Sequence, residues 1–85
     1  MPLNKFYKKN FTQEECDECF QWFEARMDKL PQQLEVQSMK FYDLRYVVQR
    51  NVRILRRTMP DNPTYSGQFA LLLMLREELM KQGLT

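Results

Sequence analysis

Apolar residues recur at helical spacing between Lys40 and Met59, which gives the clearest pattern in the chain. At 3.6 residues per turn these apolar positions fall on one side of a helix. That side comprises Phe41, Leu44, Val47, Val48, Val52, Leu55 and Met59. The remaining surface carries Arg45, Arg50, Arg53, Arg56 and Arg57, with Tyr42, Tyr46 and Gln49 between them. The pattern predicts an amphipathic helix, ending near Thr58 before Pro60, that presents guanidinium groups away from a core.

A second helix is predicted upstream, from about Gln13 to Lys29. Thr12 is suited to cap its first turn, and Glu15, three residues later, completes a capping box. One apolar stripe follows at helical spacing, formed by Cys16, Cys19, Phe20, Phe23, Met27 and Leu30. The helix is expected to end at Leu30, because a residue that precedes proline is disfavoured in helical conformation.

A third helix is predicted from Pro63 to about Gln82. Asn62 is a favourable cap, proline is tolerated at the first helical position, and Gly83 suits the left-handed terminating position. The middle of this helix is apolar almost all round, and the other two helices can cover only part of its circumference. We expect Leu71 and Met74 or Leu75 to be covered by the N-terminal segment or by a second protomer.

The remaining segments are predicted to be extended. Residues 1–10 read as a basic arm, and residues 32–37 as a connector whose Leu34 and Val36 insert into the core. Ser38 is the favoured cap of the middle helix, with Asp43 as the alternative. The predicted fold is therefore all-α: a compact three-helix domain over residues 11–85, with an extended N-terminal arm and an extended connector between its first two helices.

Length and charge refine this prediction. At 85 residues the chain is one domain, and 44% hydrophobic with 28% charged residues is typical of a folded protein. Residues 1–10 hold three lysines and no acid; residues 11–37 hold seven acids and two basic residues; residues 38–60 hold six basic residues and one acid. This segregation of charge is more informative about the kind of partner that the chain binds than the net charge of +2 is.

Candidate catalytic and metal sites are sparse. Cys16 and Cys19 form a CxxC pair, but both lie on the apolar stripe, four or more residues after the expected cap. A CxxC thiolate is stabilised when its first cysteine lies at the helix N-terminus, which is not the case here. A structural zinc site needs four ligands, whereas this chain has two cysteines and no histidine. We expect core packing for both cysteines, no metal, no cofactor and no enzymatic activity.

No apolar run approaches the roughly 18 residues of a membrane-spanning helix. The first residues contain lysines without the apolar run of a signal peptide. A cytoplasmic location without a membrane partner is the expectation.

The arginine-bearing surface has two interpretations. In the first, its charges are solvated and pair with the acidic first helix. In the second, they bind an anionic partner, which is a larger protein, a nucleoprotein or RNA; arginine suits bidentate contacts with carboxylate or phosphate. Arg53 favours the second, since it is expected to point directly away from the core. The candidate partner-binding residues are Arg45, Arg50, Arg53, Arg56, Arg57, Tyr42, Tyr46 and Gln49, with Lys5, Lys8 and Lys9 of the arm as secondary candidates.

Several short motifs resemble a family of small bacterial all-helical proteins of unknown function. They are the pair Trp22 and Phe23, Leu30 and Pro31 followed by Leu34, Asp43 near the middle helix, and the run Asn62, Pro63, Thr64 and Tyr65. The resemblance spans about residues 12–82, whereas the five-arginine helix and the lysine-bearing arm depart from it. It implies a helical fold without catalytic residues. In size and charge segregation the chain is also similar to phage-type inhibitors of host defence, including anti-CRISPR proteins.

Three functional hypotheses follow. The first is a non-catalytic interaction protein that docks through the arginine-rich helix, as an inhibitor or accessory of nucleic-acid machinery. The second is a direct RNA- or DNA-binding module that uses this helix and the basic arm. The third is a structural homodimer sealed by the apolar third helix.

Overall fold

The structure is a computed structural model that describes the backbone of residues 2–85 and the side chains of residues 4–85. Three α-helices dominate it: α1 (Gln13–Ala25), α2 (Leu44–Arg56) and α3 (Pro63–Lys81). Two short strands, β1 (Leu34–Val36) and β2 (Met39–Phe41), lie between α1 and α2. Short 3-10 helices occupy Pro2–Lys5 and Met27–Lys29. The prediction of a mostly helical fold with three helices is confirmed.

The predicted capping box opens α1. The backbone N–H of Glu15 donates to the Thr12 hydroxyl over 3.1 Å, and the N–H of Thr12 donates to the Glu15 carboxylate over 3.1 Å. Lys8 also contacts this carboxylate and, together with the cap, lowers its pKa below the ordinary value. The α-helix ends at Ala25, earlier than expected, because its last turn tightens into the 3-10 helix Met27–Lys29.

The connector is extended, as predicted, but it forms the first strand of a β-hairpin, so the prediction of an all-α fold is wrong here. Its strands are antiparallel, with Leu34 opposite Phe41 and Val36 opposite Met39. Gln37 and Ser38 form the two-residue turn with φ of 47° and 70°. Two consecutive positive φ values are typical of a type I′ turn, which Asn-Gly or Gly-Gly usually signals. Neither residue gives that signal, and Ser38 lies in the turn rather than at a helix cap.

Helix α2 begins at the alternative position, after Asp43. This residue is left-handed (φ 50°), and its side chain makes no capping hydrogen bond. The N–H of Leu44 instead donates over 3.0 Å to the carbonyl of Gln32, at the far end of the connector. The hairpin and the start of α2 are thereby fixed together.

Helix α3 has the predicted ends. The Asn62 side chain accepts from the N–H of Thr64, and Pro63 takes the first helical position. Gly83 has a φ of 97°, and the N–H of Leu84 donates back to the carbonyl of Leu79 over 3.0 Å. These contacts form the Schellman motif that left-handed glycine permits.

The core lies around α3 and receives buried side chains from α1, β1 and α2, and from Phe11 and Leu30. Phe69 is fully buried near its centre, with ring centroids 4.7 Å from Phe11 and 5.9 Å from both Phe20 and Tyr65. Leu34 and Val36 of β1 insert into this core, as predicted. The buried apolar residues are Phe11, Cys16, Cys19, Phe20, Phe23, Leu30, Leu34, Val36, Leu44, Val48, Val52, Leu55, Tyr65, Phe69, Leu72, Met74, Leu75 and Leu79.

The N-terminal arm packs on α3, as the apolar character of that helix predicted, although its first residues are 3-10 helical rather than extended. Phe6 lies against the core cluster, and the hydroxyl of Ser66 donates to the carbonyl of Lys9 over 3.1 Å. Met74 and Leu75 are buried within the chain. Leu71 is only partly buried, and the homodimer hypothesis stays a prediction that light scattering tests.

Replacing Gly67 with alanine is expected to stabilise the protein by about 0.5–1 kcal/mol, because a glycine in a helix interior is costly. A Cβ atom at this position meets nothing within 4 Å, so the alanine side chain fits without a clash. Thermal unfolding by circular dichroism measures the gain. Gly83→Ala is the matched control, and it should destabilise the protein because its φ of 97° disfavours a side chain. A lower melting temperature for Gly67→Ala would contradict the expectation.

Candidate docking surface on helix α2

Two of the five arginines hold α2 against the end of α1. The guanidinium of Arg45 donates from Nε to the carbonyl of Met27 over 3.2 Å. Arg56 forms an ion pair with Glu24 and lies 5.2 Å from the centre of the Phe20 ring. These residues are spaced to share one side of the helix, eleven residues apart. Their role in the structure is cross-helix packing.

The other three arginines point to solvent in a single row. Arg50, Arg53 and Arg57 are exposed, and their spacing of three and four residues aligns them along one side of α2. Tyr46, four residues before Arg50 and 60% exposed, continues the row. Tyr46, Arg50, Arg53 and Arg57 are called the arginine ridge, which spans about 16 Å at the helical rise per residue.

No carboxylate among the side chains of residues 4–85 forms an ion pair with Arg50, Arg53 or Arg57. The ridge lies opposite the buried side of α2, formed by Leu44, Val48 and Leu55. Helix α1 therefore reaches only the arginines that flank the core side. The first interpretation of the sequence combined solvation with pairing to the acidic helix. The pairing holds for Arg56, and the ridge arginines are exposed to solvent, which both interpretations allow.

Clefts run along both sides of the ridge. One, of about 500 Å³, lies between α1 and α2 and is called the α1–α2 groove. Its walls are Glu24, Met27, Gln49, Val52, Arg53 and Arg57, and Arg56 crosses it. The other, of about 250 Å³, lies towards α3 and includes Tyr46, Arg50 and Gln68. The ridge is thus accessible from both flanks.

The remaining sequence-predicted candidates are spread out. Gln49 lines the α1–α2 groove, whereas Tyr42 is exposed just before α2 and, because Asp43 breaks the helical path, leaves the row. The arm does not extend the ridge. Lys5 pairs with Glu77 of α3 at 3.1 Å and Lys8 with Glu15 of α1 at 2.9 Å.

Both cysteines lie in the core, as predicted. Cys16 accepts a hydrogen bond from the Tyr65 hydroxyl over 3.0 Å. Burial raises the pKa of the Cys16 thiol and raises that of Cys19 to about 12. Both groups are therefore thiols near neutral pH, which suits packing rather than nucleophilic chemistry.

Among residues 2–85, no helix is long and apolar enough to cross a membrane. The described part of the chain also holds no group of three or more His, Cys, Asp or Glu residues that could bind a metal ion.

Comparison of the chain with family models, with curated proteins and with solved structures finds no match. The resemblances to a helical family of unknown function and to anti-defence inhibitors remain predictions. Function therefore has to be inferred from the surface itself.

The sequence predicted that Arg53 points away from the core, but it did not identify which arginines would pair with the first helix. A usable signal was present, because Arg45, Gln49, Val52 and Arg56 share one side of a helix while Tyr46, Arg50, Arg53 and Arg57 share another. What the spacing could not supply was the position of Glu24, which lies 32 residues from Arg56 in sequence.

Arg53→Gln is expected to leave the free energy of unfolding unchanged or to raise it slightly. Like charges at three- and four-residue spacing cost about 0.2–0.5 kcal/mol per pair, and Arg53 is close to Arg50, Arg56 and Arg57. The matched change Arg56→Gln should lower the free energy of unfolding by about 1 kcal/mol or less, because this change removes a cross-helix ion pair and a contact with Phe20. Urea unfolding of both variants measures the difference. Equal losses would show that Arg53 contributes to folding.

Proposed function

We propose that this chain is a non-catalytic interaction protein that docks through the arginine ridge on an anionic surface of a larger protein or nucleoprotein. In this proposal it acts as an inhibitor or accessory of nucleic-acid machinery. One observation carries it: Arg50, Arg53 and Arg57 stand in one row, opposite the core, without an ion-pair partner among the described side chains.

The energetics of folding do not account for this row. Neighbouring guanidinium groups on one helix repel each other, and no described carboxylate relieves the ridge. An external carboxylate or phosphate surface would provide that relief, and planar guanidinium groups bind both bidentately. Complementary charge of this kind also accelerates association and excludes wrong partners.

Direct binding of RNA or DNA is the second candidate, and Tyr46 favours it. An exposed tyrosine in line with arginines offers a base a surface for stacking while the guanidinium groups contact phosphates. The arm contributes less to this candidate than the sequence suggested, because Lys5 and Lys8 already have carboxylate partners.

Affinity capture with the tagged chain tests the proposal. We expect the native chain to recover a specific partner and the variant Arg50→Glu with Arg53→Glu to lose it. The matched control, Lys29→Glu with Lys81→Glu, makes the same change in net charge on exposed residues off the ridge and should retain the partner. Recovery of the same partner by the ridge variant would refute the proposal.

A mobility-shift titration separates the second candidate. Direct nucleic-acid binding predicts an affinity that falls steeply with salt and that Arg53→Glu abolishes. A flat titration with RNA and DNA at low salt would eliminate direct binding and leave docking on a protein surface.

A further inference from the structure

The α1–α2 groove combines a cationic rim with an apolar floor. Arg53 and Arg57 are exposed and form the rim, whereas half-buried Met27, with buried Val52 beneath it, forms the floor. Its volume of about 500 Å³ lies within the range of sites that bind small molecules or single anchoring side chains. Arginines that serve only as solvated surface charges do not require an adjacent apolar groove.

Charge in the groove is unbalanced. Glu24 is already engaged by Arg56, which leaves Arg53 and Arg57 without a described carboxylate. An occupant that matches the groove therefore supplies at least one anionic group to the rim and one apolar group to the floor. Methionine adapts its shape to different apolar groups, so Met27 does not restrict the floor to a single side chain.

The groove suits a protein segment better than a nucleic-acid strand. Half-buried Met27 offers an apolar contact that a run of phosphates cannot use. No aromatic ring lines the groove for a base to stack on; Tyr46 lies about 10 Å from Arg53 along the ridge. Carboxylates on either side of an apolar side chain match both the rim and the floor.

We infer that the α1–α2 groove binds a short acidic segment of a partner protein. One aliphatic or aromatic side chain of that segment lies on Met27 and Val52, and neighbouring carboxylates bind Arg53 and Arg57. This inference rests on the proposed docking role of the ridge and specifies the class of its partner as a protein with an acidic segment that has an apolar anchor.

Fluorescence anisotropy with a defined probe tests the inference. The probe is a fluorescein-labelled peptide with one leucine flanked on each side by glutamate and aspartate, and its control has serine in place of leucine. We expect saturable binding of the leucine peptide, weakened about tenfold by Arg53→Glu, a change equivalent to about 1.4 kcal/mol. Lys29→Glu reverses the same charge at a position that lines a different cleft beside Leu79, and it should leave the affinity nearly unchanged.

A double-mutant cycle tests the floor of the groove. Met27→Gln keeps the length of a half-buried side chain but makes its end polar. We expect it to weaken the leucine peptide several-fold and to leave the serine peptide unaffected, which is the coupling that a direct contact produces. Circular dichroism establishes that each variant is folded. Equal effects on both peptides would overturn the apolar anchor.

Parallel titrations with oligouridine RNA and duplex DNA distinguish the possible failures. Absence of saturable peptide binding overturns this inference. If the nucleic acid then binds and Arg53→Glu abolishes that binding, docking through the ridge survives with a different partner class. If peptide and nucleic acid both fail to bind, and the ridge variant still captures the native chain's partner, the proposed function fails as well.

Discussion

Replacing Phe69 with alanine is expected to destabilise the protein by about 3–5 kcal/mol, the usual cost of deleting a buried phenylalanine side chain. The ring is fully buried and contacts Phe11, Phe20 and Tyr65 at centroid distances of 4.7, 5.9 and 5.9 Å. Because small domains have a total stability of only about 5–15 kcal/mol, the variant should be close to unfolding. Urea unfolding followed by circular dichroism measures the loss.

Gln68→Ala is the control for Phe69→Ala, because this exposed neighbour on the same helix should change stability by no more than about 0.5 kcal/mol. Phe69→Leu keeps most of the apolar volume and provides a measurable value if the alanine variant does not fold. A loss below about 1 kcal/mol for Phe69→Ala would place the centre of the core elsewhere.

Leu34→Ala is the second change with a large expected effect, about 2–5 kcal/mol, because the side chain is 3% exposed and its removal leaves a cavity under the hairpin. Glu35→Ala lies on the opposite face of the same strand and removes only a cross-strand neighbour of Lys40. Cross-strand pairs contribute about 0.2–1 kcal/mol, so the two variants should differ clearly in urea unfolding. Similar losses would show that β1 does not pack by alternate residues.

The starts of α1 and α3 and the end of α3 were predictable because their signals are local. Thr12 with Glu15, Asn62 with Pro63, and Gly83 each act through backbone groups a few residues away. Such contacts depend on short spacings that a sequence displays directly.

The hairpin and the hydrogen bonds of α2 were not predictable in the same way. Gln37 and Ser38 adopt positive φ without glycine or asparagine, so tertiary packing of Leu34 and Val36 decides the turn. The division between anchoring and exposed arginines likewise depends on how α1 lies across α2. Sequence spacing identified the arginine-bearing surface but could not show which of its charges the fold itself would pair.

The contacts of Arg45 with Met27 and of Arg56 with Glu24 have a consequence for association. These contacts and the buried side of α2 hold the orientation of the helix. The Cα atoms of Arg50, Arg53 and Arg57 therefore keep a fixed direction relative to the core. When a partner binds, only the outer side-chain torsions of these arginines become ordered. The entropic cost of forming the complex is therefore lower than for a row on a mobile helix.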